Sequence, residues 1–98
     1  MKPETKFSKK VQDRLKEVPK TWFYKSQERS RRGIPDLIIC CNGNMVAWEL
    51  KVGRNSLSEL QEYTIGQIRK AGGRALEVSP KNVDEAFAML EVLSGRSY

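Results

Sequence analysis

The feature that most restricts how this chain can fold is the apolar run Leu37-Ile38-Ile39-Cys40-Cys41 followed at once by Asn42-Gly43-Asn44. A short continuous apolar run reads as a strand covered on both faces. Asn-Gly readily takes the positive φ angles of a tight hairpin, so the next segment, Met45 to Val52, should return antiparallel to the first. If Cys41 pairs with Met45 or its neighbour, the register carries Asp36 at the start of one strand to Glu49 or Leu50 near the end of the other.

The rest of the chain is built around that hairpin. From Glu4 to Val18, Phe7, Val11, Leu15 and Val18 recur at helical spacing among Lys, Asp and Glu, which predicts an amphipathic helix with one buried stripe. Pro3 suits its start and Pro19 its end. Thr21 to Lys25 is rich in strand-preferring aromatics, and the polar, Arg-rich stretch from Ser26 to Gly33 reads as a loop. After Gly53-Arg54-Asn55, Ser56 or Ser58 can cap a second helix whose apolar side is Leu57, Leu60, Ile65 and Ile68. Gly72-Gly73 ends it, Arg74 to Val78 forms a fourth strand, and Val83, Phe87, Leu90 and Leu93 outline a last helix before a frayed tail from Ser94 to Tyr98. The expected order is α-β-β-β-α-β-α, a single α/β domain over residues 1–98 with a mixed four-stranded sheet flanked by helices and a right-handed crossover between the third and fourth strands.

A chain of 98 residues holds one core, so any function must fit on one small domain. Its formal charge of +6 and pI near 9.6 suit a phosphate-rich partner, although a cationic surface that merely aids solubility is equally compatible. Cys40 and Cys41 are adjacent, so in a strand they point to opposite faces, and with no histidine in the chain they cannot complete a metal site. They read as small apolar strand residues in a reducing compartment. No apolar run approaches a membrane span and the N-terminal residues lack a signal-peptide pattern, so the expectation is a cytoplasmic protein with no membrane partner.

Chemistry concentrates where the hairpin register brings Asp36 to Glu49 and Lys51. Residues i and i+2 share a strand face, so Glu49 and Lys51 project together while Leu50 points away. Two close carboxylates repel unless a cation lies between them, and hard oxygen ligands suit Mg²⁺ or Mn²⁺. Such an ion polarises a phosphodiester and activates water near neutral pH, while Lys51 stabilises developing charge. The competing interpretation has Asp36 capping a turn after Pro35, with Glu49 and Lys51 as ordinary charges on a solvated strand face.

Gly33-Ile34-Pro35-Asp36 followed by Trp48-Glu49-Leu50-Lys51 resembles the Pro-Asp and Glu-X-Lys signature of the PD-(D/E)XK nucleases. It is more similar still to the VRR-NUC branch in its small stand-alone phage form, with the Gly-X-Pro-Asp spelling, Glu4 in the first helix and Gln61 within Leu57-Ser58-Glu59-Leu60-Gln61. The resemblance spans roughly Glu4 to Pro80 and implies a restriction-endonuclease-like core and a Mg²⁺- or Mn²⁺-dependent DNA endonuclease. By position, it makes Asp36 and Glu49 metal ligands and Leu50 a ligand through its carbonyl oxygen. Lys51 would serve the nucleophilic water, Glu4 would be a further ligand and Gln61 would orient the site. An acidic residue in a first helical turn also satisfies the helix dipole, and Gln61 could be an exposed polar helix residue.

Arg29, Arg31 and Arg32 precede Asp36 directly, and Lys25 and Arg54 flank the same strand ends, so these five can grip DNA phosphates; a solvated loop is the alternative. Of Trp22, Phe23 and Tyr24, some could stack on bases, while core packing or an interface is expected of at least one. With no added reader of base edges, recognition of DNA shape is favoured over sequence. The resemblance further implies a homodimer acting on branched or Holliday-junction-like DNA in a bacterial or phage-infected cell. The rival to an enzyme is a non-catalytic nuclease-like module that binds DNA or protein; paired carboxylates facing a polyanion argue against it, because they repel DNA unless metal neutralises them.

Overall fold

A computed structural model describes residues 2–26, 33–53 and 56–95. The elements are α1 (Pro3–Leu15), β1 (Thr21–Lys25), β2 (Leu37–Cys41), β3 (Asn44–Leu50), α2 (Glu59–Lys70), β4 (Arg74–Val78) and α3 (Val83–Leu93). This is the expected order. The strands form one sheet in the order β1-β2-β3-β4, antiparallel except for the parallel pair β3 and β4, which α2 connects.

The hairpin between β2 and β3 is closed by Asn42 and Gly43, whose φ angles of 51° and 83° are the two positive values that a type I′ turn requires. Cys41 pairs with Asn44 and Leu37 with Trp48, so the next row along pairs Asp36 with Glu49. That register positions the site.

One face of the sheet carries the main core. Phe7, Val11 and Leu15 of α1 and Ala86, Phe87 and Leu90 of α3 pack on Leu37, Ile39, Cys41, Val46, Trp48 and Val78. Trp48 meets Phe87 edge to face at 5.0 Å, and the Arg14 guanidinium lies 4.2 Å from the Phe87 ring centre while bonding Asp84 at 2.7 Å. Strand, α1 and α3 are thereby tied at one point. Helix α1 stops at Leu15, short of the expected Val18, because the chain tightens into i to i−3 bonds, Glu17 N–H to Arg14 and Val18 N–H to Leu15, on its way to Pro19. Val18 is nonetheless buried.

The other face is covered by α2 alone. Ile65 packs on Ala47 and Ala75, with Ile38, Leu57 and Ile68 around them. The helix lies over β3 and β4, so β2 is not covered on both faces as its apolar run suggested: Cys40 is exposed and Ile38 only half-buried. Leu60, expected on the apolar side of α2, is exposed too, because it lies at the helix flank where it meets Gly33. Ser58 caps α2 in a capping box with Gln61, and Gly72 and Gly73 close it with bonds back to Arg69 and Ile68, a Schellman motif. At the C-terminal end Ser94 is buried and bonds the Glu91 carbonyl, so the chain is held at the first residue of the expected frayed tail.

Candidate active site

Asp36 and Glu49 are bound to each other through the backbone. The Asp36 N–H donates to Oε1 of Glu49 at 3.1 Å, and the Leu50 N–H donates to Oδ2 of Asp36 at 2.9 Å. Each carboxylate thus accepts an amide proton from the opposite strand's end, where a regular ladder would otherwise continue. Pro35 is buried ahead of Asp36, and the Asp36 carbonyl accepts from Ser26 N–H at 2.7 Å, which joins the end of β1 to the same row.

Glu49 is not a solvated strand charge. It is 4% exposed, and its second oxygen accepts from Gln61 Nε2 at 2.7 Å. Gln61 spends its other end on the capping box, where Oε1 accepts the Ser58 N–H at 2.9 Å. The start of α2 is therefore welded to the carboxylate, and Gln61 is not the exposed polar residue of the alternative interpretation. Lys51 Nζ lies 3.8 Å from Glu49 Oε2, just beyond the strand end but on the same side, as its i+2 spacing required.

Burial, and after it the negative charge of Asp36, pushes the Glu49 carboxyl up to about 7; Lys51 and the Asp36 N–H act in the opposite direction without cancelling them. A buried carboxylate whose nearest cation leaves it this proton-hungry is an arrangement that costs stability unless more positive charge arrives.

Asp36 also opens onto a cleft of about 520 Å³ between α1 and the ends of β2 and β3. Glu4, Lys25 and Leu50 line it with Asp36, and Lys25 Nζ lies 3.9 Å from Asp36 Oδ1. The same wall carries Ser8, Lys9 and Gln12 of α1, which sequence reasoning did not single out. Their signal was present: Ser8 and Gln12 repeat at i, i+4 along the flank of the Phe7, Val11 and Leu15 stripe. Glu4 shares the cleft but does not close a triad, since among the described residues no three His, Cys, Asp or Glu side chains converge on one point. Arg29, Arg31, Arg32 and Arg54 lie outside the described residues.

The donor set fits a hard divalent cation. Two carboxylates from neighbouring strand ends, one of them raised towards its protonated form by burial and by its partner, are a site that Mg²⁺ or Mn²⁺ would neutralise, with water and phosphate completing its coordination. Leu50 ends β3 next to Glu49, with its N–H bonded to Asp36 and its side chain on the core.

No protein-family model matches the sequence, and no curated protein matches it either. A solved structure described as a VRR_NUC domain is similar over 87% of this chain and 94% of its own, with a TM-score of 0.74 and 24% sequence identity. The chain has the fold of a VRR_NUC domain. The similarity thus covers most of both chains. The fold expected from Pro35-Asp36 and Glu49-Leu50-Lys51 is thus the fold observed.

Proposed function

We propose that this protein is a metal-dependent endodeoxyribonuclease of the VRR-NUC kind, which hydrolyses phosphodiester bonds at Asp36, Glu49 and Lys51. The observation that carries the reading is the buried Glu49, whose carboxylate accepts the Asp36 N–H while that of Asp36 accepts the Leu50 N–H, and whose carboxyl is raised to about 7. A fold has no structural need for such a pair, and a buried, incompletely neutralised carboxylate is tolerated where function requires it.

In this reading Asp36 and Glu49 hold Mg²⁺ or Mn²⁺, with the Leu50 carbonyl and Glu4 as further oxygen donors. The ion would polarise the scissile phosphodiester and lower the pKa of water. Gln61 keeps the Glu49 carboxylate turned towards Asp36, and Lys51 stabilises negative charge gathering on the attacked phosphate. Water adds to phosphorus and gives up a proton to solvent, the P–O bond to the leaving oxygen breaks, and the leaving oxygen takes a proton from solvent. Lys25 and Lys9 meet phosphates along the cleft, and Arg29, Arg31, Arg32 and Arg54 extend that grip. The resemblance to small phage-type forms supports a homodimer acting on branched DNA in the cytoplasm. Among the described residues no helix is long and apolar enough to cross a membrane.

The test is incubation of the purified protein with labelled four-way, flapped, single-stranded and blunt duplex DNA in Mg²⁺, Mn²⁺ or EDTA. Cleavage dependent on metal and greatest on the branched forms is expected; binding without cleavage of any of them would leave only the non-catalytic module.

A further inference from the structure

The sheet face that α2 covers only in part is organised in three rows. Glu49, with Asp36 bonded beside it, forms the first; Tyr24, Ile38 and Ala47 the second; Trp22, Cys40 and Met45 the third. Alternate strand residues share a face, so Tyr24 and Trp22 project to the same side of the sheet as Glu49, the side on which Glu49 meets α2. Phe23, between them, turns to the opposite face and packs on the main core.

Helix α2 seals Ala47 and Ala75 but stops at the fringe of Ile38. Beyond that fringe Trp22 is 63% exposed, Tyr24 52% and Met45 41%. Two adjacent exposed aromatic rings on an edge strand, continuous with a row of carboxylates, make a surface with a use. The occupant must offer flat apolar faces to the rings and anionic groups to a basic chain, and the stretch of DNA entering the carboxylate row offers both.

We propose that Trp22 and Tyr24 form a stacking platform for unpaired nucleobases of the strand whose phosphate lies at Asp36 and Glu49. Rows on one strand face are about 6.8 Å apart, the rise of roughly two stacked bases, so the Tyr24 row is within about two nucleotides of the carboxylates and the Trp22 row within about four. Bases inside an intact duplex are stacked on one another and cannot offer their faces. The platform therefore selects DNA with unpaired nucleotides beside the cleaved bond, such as flaps, forks and open junction arms. This inference rests on the nuclease reading, since it takes the strand's position from the carboxylate row.

Trp48 is 1% exposed, so changes in tryptophan emission on binding report mainly on Trp22. Titration of the full chain with a short oligodeoxythymidylate in EDTA should quench that emission saturably. Trp22→Ala and Tyr24→Ala should each weaken affinity for the oligonucleotide at least about fivefold and lower the ratio of forked to blunt-duplex affinity by the same factor, while Trp22→Phe restores most of it. Unaltered affinity in both alanine variants overturns the platform. So does conversion from dimer to monomer by Trp22→Ala in sedimentation with per-chain affinity unchanged, because a second copy of the chain would then cover the face. A wild type that is quenched through Trp22 but cleaves no DNA supports the platform and overturns the nuclease reading.

Discussion

Replacing Glu49 by Gln should remove most of the pH dependence of stability in the metal-free protein. The Glu49 carboxyl stands at about 7 against an ordinary value of 4.5. The folded state therefore binds this proton more tightly than the unfolded state, and the resulting stabilisation is complete below pH 4.5 and lost as the pH rises through 7. About 2.5 pH units at ~1.36 kcal/mol each come to roughly 3 kcal/mol. For a domain of this size that is on the order of 10–20 °C in melting temperature. Gln copies a protonated glutamic acid in shape and charge, so Glu49→Gln keeps the low-pH stability at high pH. The assay is thermal unfolding of both proteins in EDTA from pH 5 to 8.5, read as the difference between them. The variant should gain on the wild type as pH rises. Parallel curves would mean that Glu49 is not held near neutrality by burial and Asp36, and the electrostatic basis of the site would be wrong.

Lys51→Ala should abolish cleavage while DNA affinity, measured by anisotropy, stays close to wild type, because Lys51 is assigned to the chemical step. Gly33→Ala should destabilise by about 1–3 kcal/mol in urea unfolding, since Gly33 has φ +88° and an added Cβ would lie 2.7 Å from the Leu60 side chain and 2.8 Å from its carbonyl oxygen. Gln61→Ala breaks both the capping box and the bond to Glu49, so it should cost about 1–2 kcal/mol and reduce cleavage; Ser58→Ala, which loses only the cap, should cost stability with a smaller effect on cleavage.

Legibility in the sequence followed the range of the interactions. Asn42-Gly43 determines a two-residue turn locally, and counting outward from it sets Asp36 beside Glu49, so the heart of the site could be found from six positions on either side of one turn without any long-range information. The helix start was legible for a similar reason, as a cap at Ser56 or Ser58, while the reciprocal bond from Gln61 back to Ser58 was not read. What could not be read was anything set by how far a helix slides across the sheet. The lateral position of α2 buries Glu49, exposes Leu60 and leaves Trp22 and Tyr24 bare, and it depends on the fit of Ile65 against Ala47 and Ala75. The spelling Trp-Phe-Tyr likewise announced three aromatics without saying which one the pleat would send into the core.

The nuclease reading requires that Asp36 and Glu49 together hold a divalent cation. Calorimetric titration of Mn²⁺ into the wild type and into Asp36→Asn, each without DNA, addresses it directly. The wild type should bind saturably, with at least one site at millimolar affinity or better, and should melt higher by an amount that grows with metal concentration, about 1.4 kcal/mol at tenfold excess over Kd. Asp36→Asn should lose both effects while remaining no less stable without metal. Equal Mn²⁺ binding by the two proteins, or no saturable binding by the wild type at concentrations on the order of 10 mM, would contradict the claim.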